Sequence, residues 1–333
     1  MSRPAGETAA AVLERLRTAP GFTSGALLCT DLGLSRMAIS KAVAQLRVQG
    51  YLIESVPHRG YRLIQDTDQP RASAVQPLLH TATLGRYWVF QSELASTNRV
   101  AAELAAAGAP QGLVVTAESQ TQGRGRLGRT WHSPAGLNLY LSVLLRPDVA
   151  AVRVPQISLL TALAWRRALR DLCPRLSVAV KWPNDIWVGS RKMGGILCEM
   201  DAELDRVRHV VVGVGLNVNL SAADLPADLV GRATSALIEL GAPVSRPHLL
   251  AAFLNAFEAL LDDWLQGDDL GPFIAEFESC SALAGRRLRV DLGRRTVEGV
   301  ATGLALDGRL RLRTDDGSEL RISSGETHIL GVG

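Results

Sequence analysis

Lysine is nearly absent from this 333-residue chain: only Lys41, Lys181 and Lys192 occur, so 33 of the 36 basic residues are arginine. Arginine replaces lysine on most solvated surfaces, but not where a compact ammonium must point at a small anion. Two of the three lysines fall in one twelve-residue segment, 181–192, which marks it for attention. Long apolar runs are missing as well. Ile157 to Trp165 is stopped by Arg166 and Arg167, and Val210 to Leu216 is short and glycine-interrupted, which excludes a membrane-spanning helix. The first twenty residues lack the unbroken apolar core of an export signal, so a cytoplasmic location is expected. Four cysteines (Cys29, Cys173, Cys198, Cys280) lie far apart with no paired spacing, which argues against a disulfide framework or a protein-held metal site. With 47% apolar and 21% charged residues, global disorder is excluded too.

The charge that remains is unevenly placed. Residues 1–71 hold nine basic and six acidic residues, which accounts for the whole net charge of +3, and within 32–62 the ratio is five to one. This end of the chain suits an anionic partner. Its periodicity predicts helices over Thr8–Thr18 and Ser24–Thr30, and a third opening at Ser35 as N-cap, with Ile39, Val43 and Leu46 inward and Gly50 as its stop. Tyr51–Ser55 and Tyr61–Ile64, joined by Pro57-His58-Arg59-Gly60, complete a hairpin. This is the order of a winged helix-turn-helix, whose third helix enters the major groove while the wing lies along the backbone. Such units also serve as dimerisation modules; the basic excess favours DNA. Candidate DNA contacts are Ser35, Arg36, Ser40, Lys41, Gln45, Arg47, His58 and Arg59.

Four segments are expected: a winged helix over 1–66, a linker over 67–80, a mixed α/β domain over 81–281 and a small β-barrel over 282–333. The linker has two prolines and no periodicity. The third segment alternates strand-like runs (87–90, 113–118, 139–145, 178–181, 196–199, 210–219) with helical ones (97–107, 155–172, 247–265). Short strands with Gly-containing turns follow Gly285. The class is therefore α+β.

Between Gln120 and Trp131 the chain reads QTQGRGRLGRTW. Gly123-x-Gly125-x-x-Gly128 matches the dinucleotide fingerprint as a string. That loop must open into a helix, and Thr130–Gly136 (TWHSPAG) cannot begin one. No GxxxxGK[ST] loop is present either. What the segment supplies is Arg124, Arg126 and Arg129 on a glycine frame beside an indole, the ingredients of a mobile anion clamp with a stacking platform. Downstream, Lys181-Trp-Pro-Asn-Asp185 and Arg191-Lys-Met-Gly-Gly-Ile-Leu197 place two ammonium groups, an amide and a carboxylate around one glycine-edged hairpin. Gly213-Val-Gly215-Leu-Asn217-Val-Asn219 adds a strand that bares its backbone and ends in amides.

In this order and spacing, Ser96-Thr97-Asn98, GRGRLGRTW, KWPND, RKMGGIL and GVGLNVN resemble the biotin protein ligase family. With the N-terminal winged helix, the whole chain is similar to its bifunctional branch of ligases and biotin-operon repressors (the BirA family), whose C-terminal part is an SH3-like barrel. The resemblance implies that biotin and ATP, with Mg2+, form biotinyl-5′-AMP, and that a lysine of a biotin carboxyl carrier protein then takes the biotin. It further implies operator DNA as a partner and homodimerisation on binding the adenylate. By the same resemblance Arg126, Lys181, Lys192 and Asp185 serve catalysis. Ser96, Thr97, Asn98, Gln120, Arg124, Gly125, Arg126, Lys192, Gly194 and Gly213 line the biotin site, and Arg126, Arg129, Trp131, Asn184, Lys192 and Asn217 the adenylate site. Leu127 stands where some members carry another basic residue, and Gly194 where some carry alanine. Two alternatives remain at this level: a non-catalytic sensor of biotin or another small acid, and a related ligase for lipoate or another acyl group.

Overall fold

The computed structural model describes residues 5–203 and 206–330, and these divide into two compact units, up to Gln69 and from Pro70 onward. In the first, α1 (Ala5–Arg17), α2 (Gly25–Leu32) and α3 (Arg36–Val48) precede a hairpin of β1 (Leu52–Val56) and β2 (Gly60–Gln65). Ser24 and Ser35 cap α2 and α3, each side-chain oxygen accepting from the backbone N–H three residues on. Val12, Leu13, Leu16, Leu28, Ile39, Val43, Leu46 and Ile53 form the core at the expected helical spacing. The Thr23 and Tyr61 backbones exchange hydrogen bonds at 2.8 and 2.9 Å, tying the wing to the α1–α2 connection. Gly60 permits that approach, because a Cβ there would lie 2.1 Å from the Thr23 carbonyl oxygen.

The second unit opens with α4 (Ala72–Val75), so the segment expected to be a linker is structured: Ala74 and Val75 are buried, and Val75 belongs to the main core. Two prolines hid a single helical turn. There follow β3 (Trp88–Leu94), α5 (Thr97–Ala106), β4 (Val114–Gln120), β5 (Leu139–Leu145), α6 (Val154–Leu172), β6 (Val178–Lys181), β7 (Asp185–Val188), β8 (Arg191–Glu203) and β9 (Arg206–Leu216). These strands form one seven-stranded sheet in the order β3-β4-β5-β9-β8-β7-β6, antiparallel except for β3 with β4. The helices α7 (Ala236–Leu240), α8 (Arg246–Leu265) and α9 (Gly271–Cys280) come next. Five further strands close the chain: β10 (Arg287–Asp291), β11 (Thr296–Leu304), β12 (Leu310–Arg313), β13 (Glu319–Ile322) and β14 (Glu326–Ile329). Their ladder runs β13-β12-β11-β10-β14 and the two outer strands do not pair. By its hydrogen bonding, the expected barrel is an open five-stranded sheet.

Side chains alternate across a strand, and the large sheet uses both faces differently. Leu141, Val143, Val210, Val212 and Val214 pack on the α6 and α8 side, where Trp165 stacks on Phe253 at 4.0 Å between ring centroids. Val115, Ala117, Leu144 and Val211 face α5. Helix α5 is short and lies against β4, β5 and β9, so on its side of the sheet β8, β7 and β6 are left to the loop Gln120–Trp131 and its neighbours.

Candidate functional site

Strand pairing assembles the site. Across the sheet, Tyr140, Gly215, Gly195, Asp185 and Lys181 are successive register partners, and Ser142, Gly213 and Leu197 form the next row. These rows lie on the α5 side, and their three glycines turn part of the sheet into a trough floored by backbone. Gly213 admits Asn98, whose Oδ1 would be 1.9 Å from a Cβ there. Gly215 and Gly195 admit Trp131: a Cβ on Gly215 would lie 2.4 Å from the indole Nε1, and one on Gly195 3.3 Å from Cζ3. Gly194, on the same strand as Gly195, points the other way, so a methyl there would meet Leu216 Cδ1 at 2.8 Å. The alanine that some family members carry at this position would require the end of the Leu216 side chain to shift.

The GRGRLGRTW segment is a small hairpin laid over this floor. Trp131 N donates to Gly123 O at 2.9 Å, Gly125 N to Arg129 O at 2.7 Å, and a 3-10 turn spans Arg126–Gly128. No helix follows, as the dinucleotide reading would need. Leu127 adopts φ 57 and is exposed at the tip. The three arginines fasten the hairpin on different sides: Arg124 to Glu199 at 3.3 Å, Arg126 Nη1 to Asn184 Oδ1 at 3.0 Å, and Arg129 to Glu326 on β14. The hydrogen bond from Arg129 holds the Glu326 carboxyl below the usual glutamate range. The indole Nε1–H of Trp131 is buried and has no hydrogen-bond partner among the described residues.

Lys192 and Asp185 form an ion pair at 2.6 Å, with Lys192 Nζ 5.5 Å from the Trp131 ring centroid. Lys181 Nζ lies 4.4 Å from the Trp187 ring centroid; burial lowers its pKa, and Asp185 opposes that shift. Asn184 Nδ2 donates to Ile196 O at 2.7 Å, so its remaining oxygen is what Arg126 engages. Ammonium, guanidinium and carboxylate thus converge at one end of the trough.

At the other end sits the N-terminus of α5. Gln120 Oε1 accepts from Thr97 N at 2.9 Å, and Gln120 Nε2 donates to Ser133 Oγ at 3.2 Å, joining the helix end to the base of the hairpin. Ser96, at the N-cap position, makes no capping hydrogen bond. Asn98 donates to Glu199 at 2.7 Å and to Leu197 O at 3.2 Å, and accepts from Ser142 Oγ at 2.6 Å. Its amide is therefore engaged by protein on both sides. Asn217 is likewise committed: Nδ2 donates to Thr234 O at 3.0 Å, Oδ1 lies 3.4 Å from Asn138 Nδ2, and the residue is 7% exposed. In both residues the side-chain amide is engaged by protein groups.

Glu199, Glu326, Ser142 and Trp187 were not among the residues singled out from the sequence. Alternation along β8 from Gly195 would have put Glu199 on the site face; nothing local connects Arg129 with Glu326, 197 positions away. Among the described residues no group of three or more His, Cys, Asp or Glu is arranged to hold a metal ion, and no helix is long and apolar enough to cross a membrane.

In the first unit, Arg36, Ser40, Lys41, His58 and Arg59 are exposed and Gln45 is half-buried. Arg59 stacks on Phe22 at 4.2 Å, which fixes it at the wing. Ser35 and Arg47 have structural duties. The Ser35 hydroxyl oxygen caps α3, and the Arg47 guanidinium donates to Ile53 O and Ser55 Oγ at 2.8 and 2.6 Å.

Comparison with known proteins places the chain in a family. Residues 90–217 match the model of the biotin/lipoate A/B protein ligase family, 8–62 that of an HTH domain and 284–327 that of the biotin protein ligase C-terminal domain. The chain is 36% identical over 296 residues to the bifunctional ligase/repressor BirA of Bacillus subtilis, covering 89% of this chain and 90% of that one. It is 30% identical to the Escherichia coli protein of the same name, over 92% and 94% of the two chains. A solved biotin protein ligase from Aquifex aeolicus, in complex with biotin and ATP, superposes with a TM-score of 0.64 at 28% identity, covering 74% of this chain and 99% of that one. The chain belongs to the biotin protein ligase family, in its bifunctional ligase/repressor (BirA) branch.

Proposed function

We propose that this protein joins biotin to ATP as biotinyl-5′-AMP, passes the biotin to a lysine of a biotin carboxyl carrier protein, and represses transcription from operator DNA through its first unit. One observation carries the ligase reading: Lys192, Arg126 and the Trp131 indole converge over a glycine floor, where an acid and a nucleotide phosphate can be held side by side.

In the first step a biotin carboxylate oxygen attacks the α-phosphorus and pyrophosphate leaves. Two unit charges ~4 Å apart repel by about 4 kcal/mol at an effective dielectric of 20, so cations must face them. Lys192 and Arg126 do this, Lys192 exchanging its Asp185 partner for the substrate's oxygens. Arg129 and Trp131 close over the adenylate, and Asn184 orients Arg126. At the far end Ser96, Thr97, Gln120 and the backbone of Arg124 and Gly125 suit a neutral ureido ring, with Asn98 and Gly213 beneath it, while Gly194 contributes backbone nearer the Lys192 end. Asn217 supports the nucleotide side through the backbone it anchors. Mg2+ would be carried by the nucleotide phosphates, where it screens their charge; no carboxylate cage stands among the described residues.

In the second step the acceptor amine attacks the acyl carbon, AMP leaves and the amine loses a proton. A lysine of ordinary pKa ~10.4 must give up that proton near pH 7, at about 4–5 kcal/mol. Asp185, freed from Lys192, orients the amine and receives the proton; Lys181, already disposed by burial toward its neutral form, assists.

The functional boundaries follow the sequence segments, 1–66 for DNA, 81–281 for catalysis and 282–333, an SH3-like sheet, for closing the site through Glu326. Arg36, Ser40, Lys41, Gln45, His58 and Arg59 face DNA, with Ser35 and Arg47 holding the surface that presents them. Ordering of the hairpin over the adenylate favours a homodimer, which sets two winged helices on a palindrome. The protein works in the cytoplasm, where ATP and apo carrier are found together and cysteines stay reduced.

The test is incubation with biotin, ATP, magnesium and an apo carrier domain, following carrier mass and AMP release together. Equal gain of one biotin and release of one AMP is expected. Mass gain with lipoate and none with biotin refutes the substrate, and AMP release without carrier modification refutes the transfer.

A further inference from the structure

Helix α3 presents an outward strip of Arg36, Met37, Ser40, Lys41, Ala44 and Arg47. Its opposite face, Ile39, Ala42, Val43 and Leu46, is fully engaged in the core of the unit. Met37 is unusual in this strip. It is a large apolar side chain in the first turn, two residues after the N-cap, and 69% exposed. Turning it outward forfeits the burial that a helical methionine ordinarily gains. Its surroundings indicate what meets it. The C-terminal part of the strip is fastened to the wing by Arg47, and the N-terminal part carries Arg36, Ser40 and Lys41, whose side chains make no hydrogen bonds among the described residues. In a helix-turn-helix the first residues of the recognition helix approach base edges. Arginine, lysine and serine at such positions read hydrogen-bonding groups or phosphates. Met37 can do neither. In the major groove the apolar group on offer is the C5 methyl of thymine, and an unbranched, polarisable thioether adapts to such a contact.

We propose that Met37 is a specificity-determining residue that packs against a thymine methyl in each operator half-site. The inference rests on the DNA-binding reading of the first unit and goes beyond it by naming a base and the group on it that is read.

The operator sequence is obtained by selection from random duplex DNA with the full chain, biotin, ATP and magnesium. Each thymine of the selected duplex is then replaced in turn by deoxyuridine, which removes the methyl and nothing else. Affinities are measured for the wild type, Met37→Ala and Met37→Leu, with circular dichroism melting to verify folding. At one thymine per half-site the wild type should bind the deoxyuridine duplex about fourfold more weakly, the equivalent of ~0.8 kcal/mol for one buried methyl. Met37→Ala should bind the thymine duplex more weakly by a similar factor and be indifferent to that replacement, while Met37→Leu keeps the sensitivity. Equal deoxyuridine effects in wild type and Met37→Ala, or no sensitive thymine at all, overturn the proposal while leaving DNA binding intact. Selection that converges on no sequence overturns the DNA-binding reading and Met37's role with it.

Discussion

Replacing Gly215 by alanine tests the docking of the hairpin without straining the backbone beneath it. Gly215 has strand backbone that any residue adopts, so the substitution carries no conformational strain; glycine to alanine in such a setting gains about 0.4–1 kcal/mol through the unfolded chain. The new Cβ, however, falls 2.4 Å from Trp131 Nε1 and 2.5 Å from Cε2, and the atoms it meets are a rigid ring rather than the end of a flexible chain. The indole must leave the floor. If docking covers roughly 100 Å2 of it, about 2–3 kcal/mol of burial is lost, which shifts the docked-to-open ratio by roughly 30- to 150-fold. Limited trypsin cleavage at Arg124, Arg126 and Arg129, without any ligand, reads that ratio. Cleavage should quicken by this factor and adenylate formation should fall with it, while global stability drops by no more than the lost docking energy less the glycine-to-alanine gain. Gly195→Ala, whose Cβ meets Trp131 and the Lys192 stem at 3.2–3.3 Å, should show a smaller effect of the same kind. A Gly215→Ala hairpin as resistant to trypsin as the wild type refutes the reasoning, because it means the indole does not depend on this floor.

Lys192→Ala and Arg126→Ala should each cut pyrophosphate release strongly while leaving the melting temperature near wild type; wild-type rates overturn the charge-neutralising role. Arg246 (2% exposed) and Glu118 (7%) form a buried pair at 3.2 Å, so Arg246→Ala should destabilise by about 3–5 kcal/mol in denaturant titration. The Arg129–Glu326 pair is largely exposed, so a double-mutant cycle should give a coupling under about 1 kcal/mol. Because the folded Glu326 pKa is depressed, that contribution is present above the ordinary glutamate pKa and disappears as the pH falls through the folded value. Protection of the hairpin's backbone amides against hydrogen exchange should weaken in that acid range and not between pH 6 and 8. For DNA, Arg36→Ala, Lys41→Ala and Arg59→Ala should each lower the salt dependence of binding by about one ion. Arg47→Ala should instead loosen the wing, seen as a lower melting temperature with the slope unchanged.

Local pattern carried much of the fold. The first unit was legible because its helices are amphipathic, serine-capped and glycine-stopped, and α6 and α8 because their apolar stripes are long. What escaped was short or masked by composition: β7 is four residues behind a proline turn, α9 opens with Gly-Pro, α4 is one turn among prolines, and β14 is a four-residue strand near the chain end. The open edge of the C-terminal sheet was also invisible, because closure depends on pairing between β13 and β14, which no local pattern encodes.

The same division holds for the site. Scarcity of lysine, arginines on a glycine frame and the KWPND and GVGLNVN segments pointed to the charged half of the candidate site, since each type is costly or odd without a ligand, whereas Ser96, Thr97, Asn98 and Gln120 came from the family resemblance. Pairing in three dimensions decided which groups they meet in the fold. Register put Asp185 beside Gly195 and Gly195 beside Gly215, which made a floor; packing engaged the side-chain amides of Asn98 and Asn217 with protein groups and the Arg47 guanidinium with the wing. Composition and periodicity report what a side chain is able to do, whereas the partners that occupy its donors and acceptors are set by strands far apart in the chain.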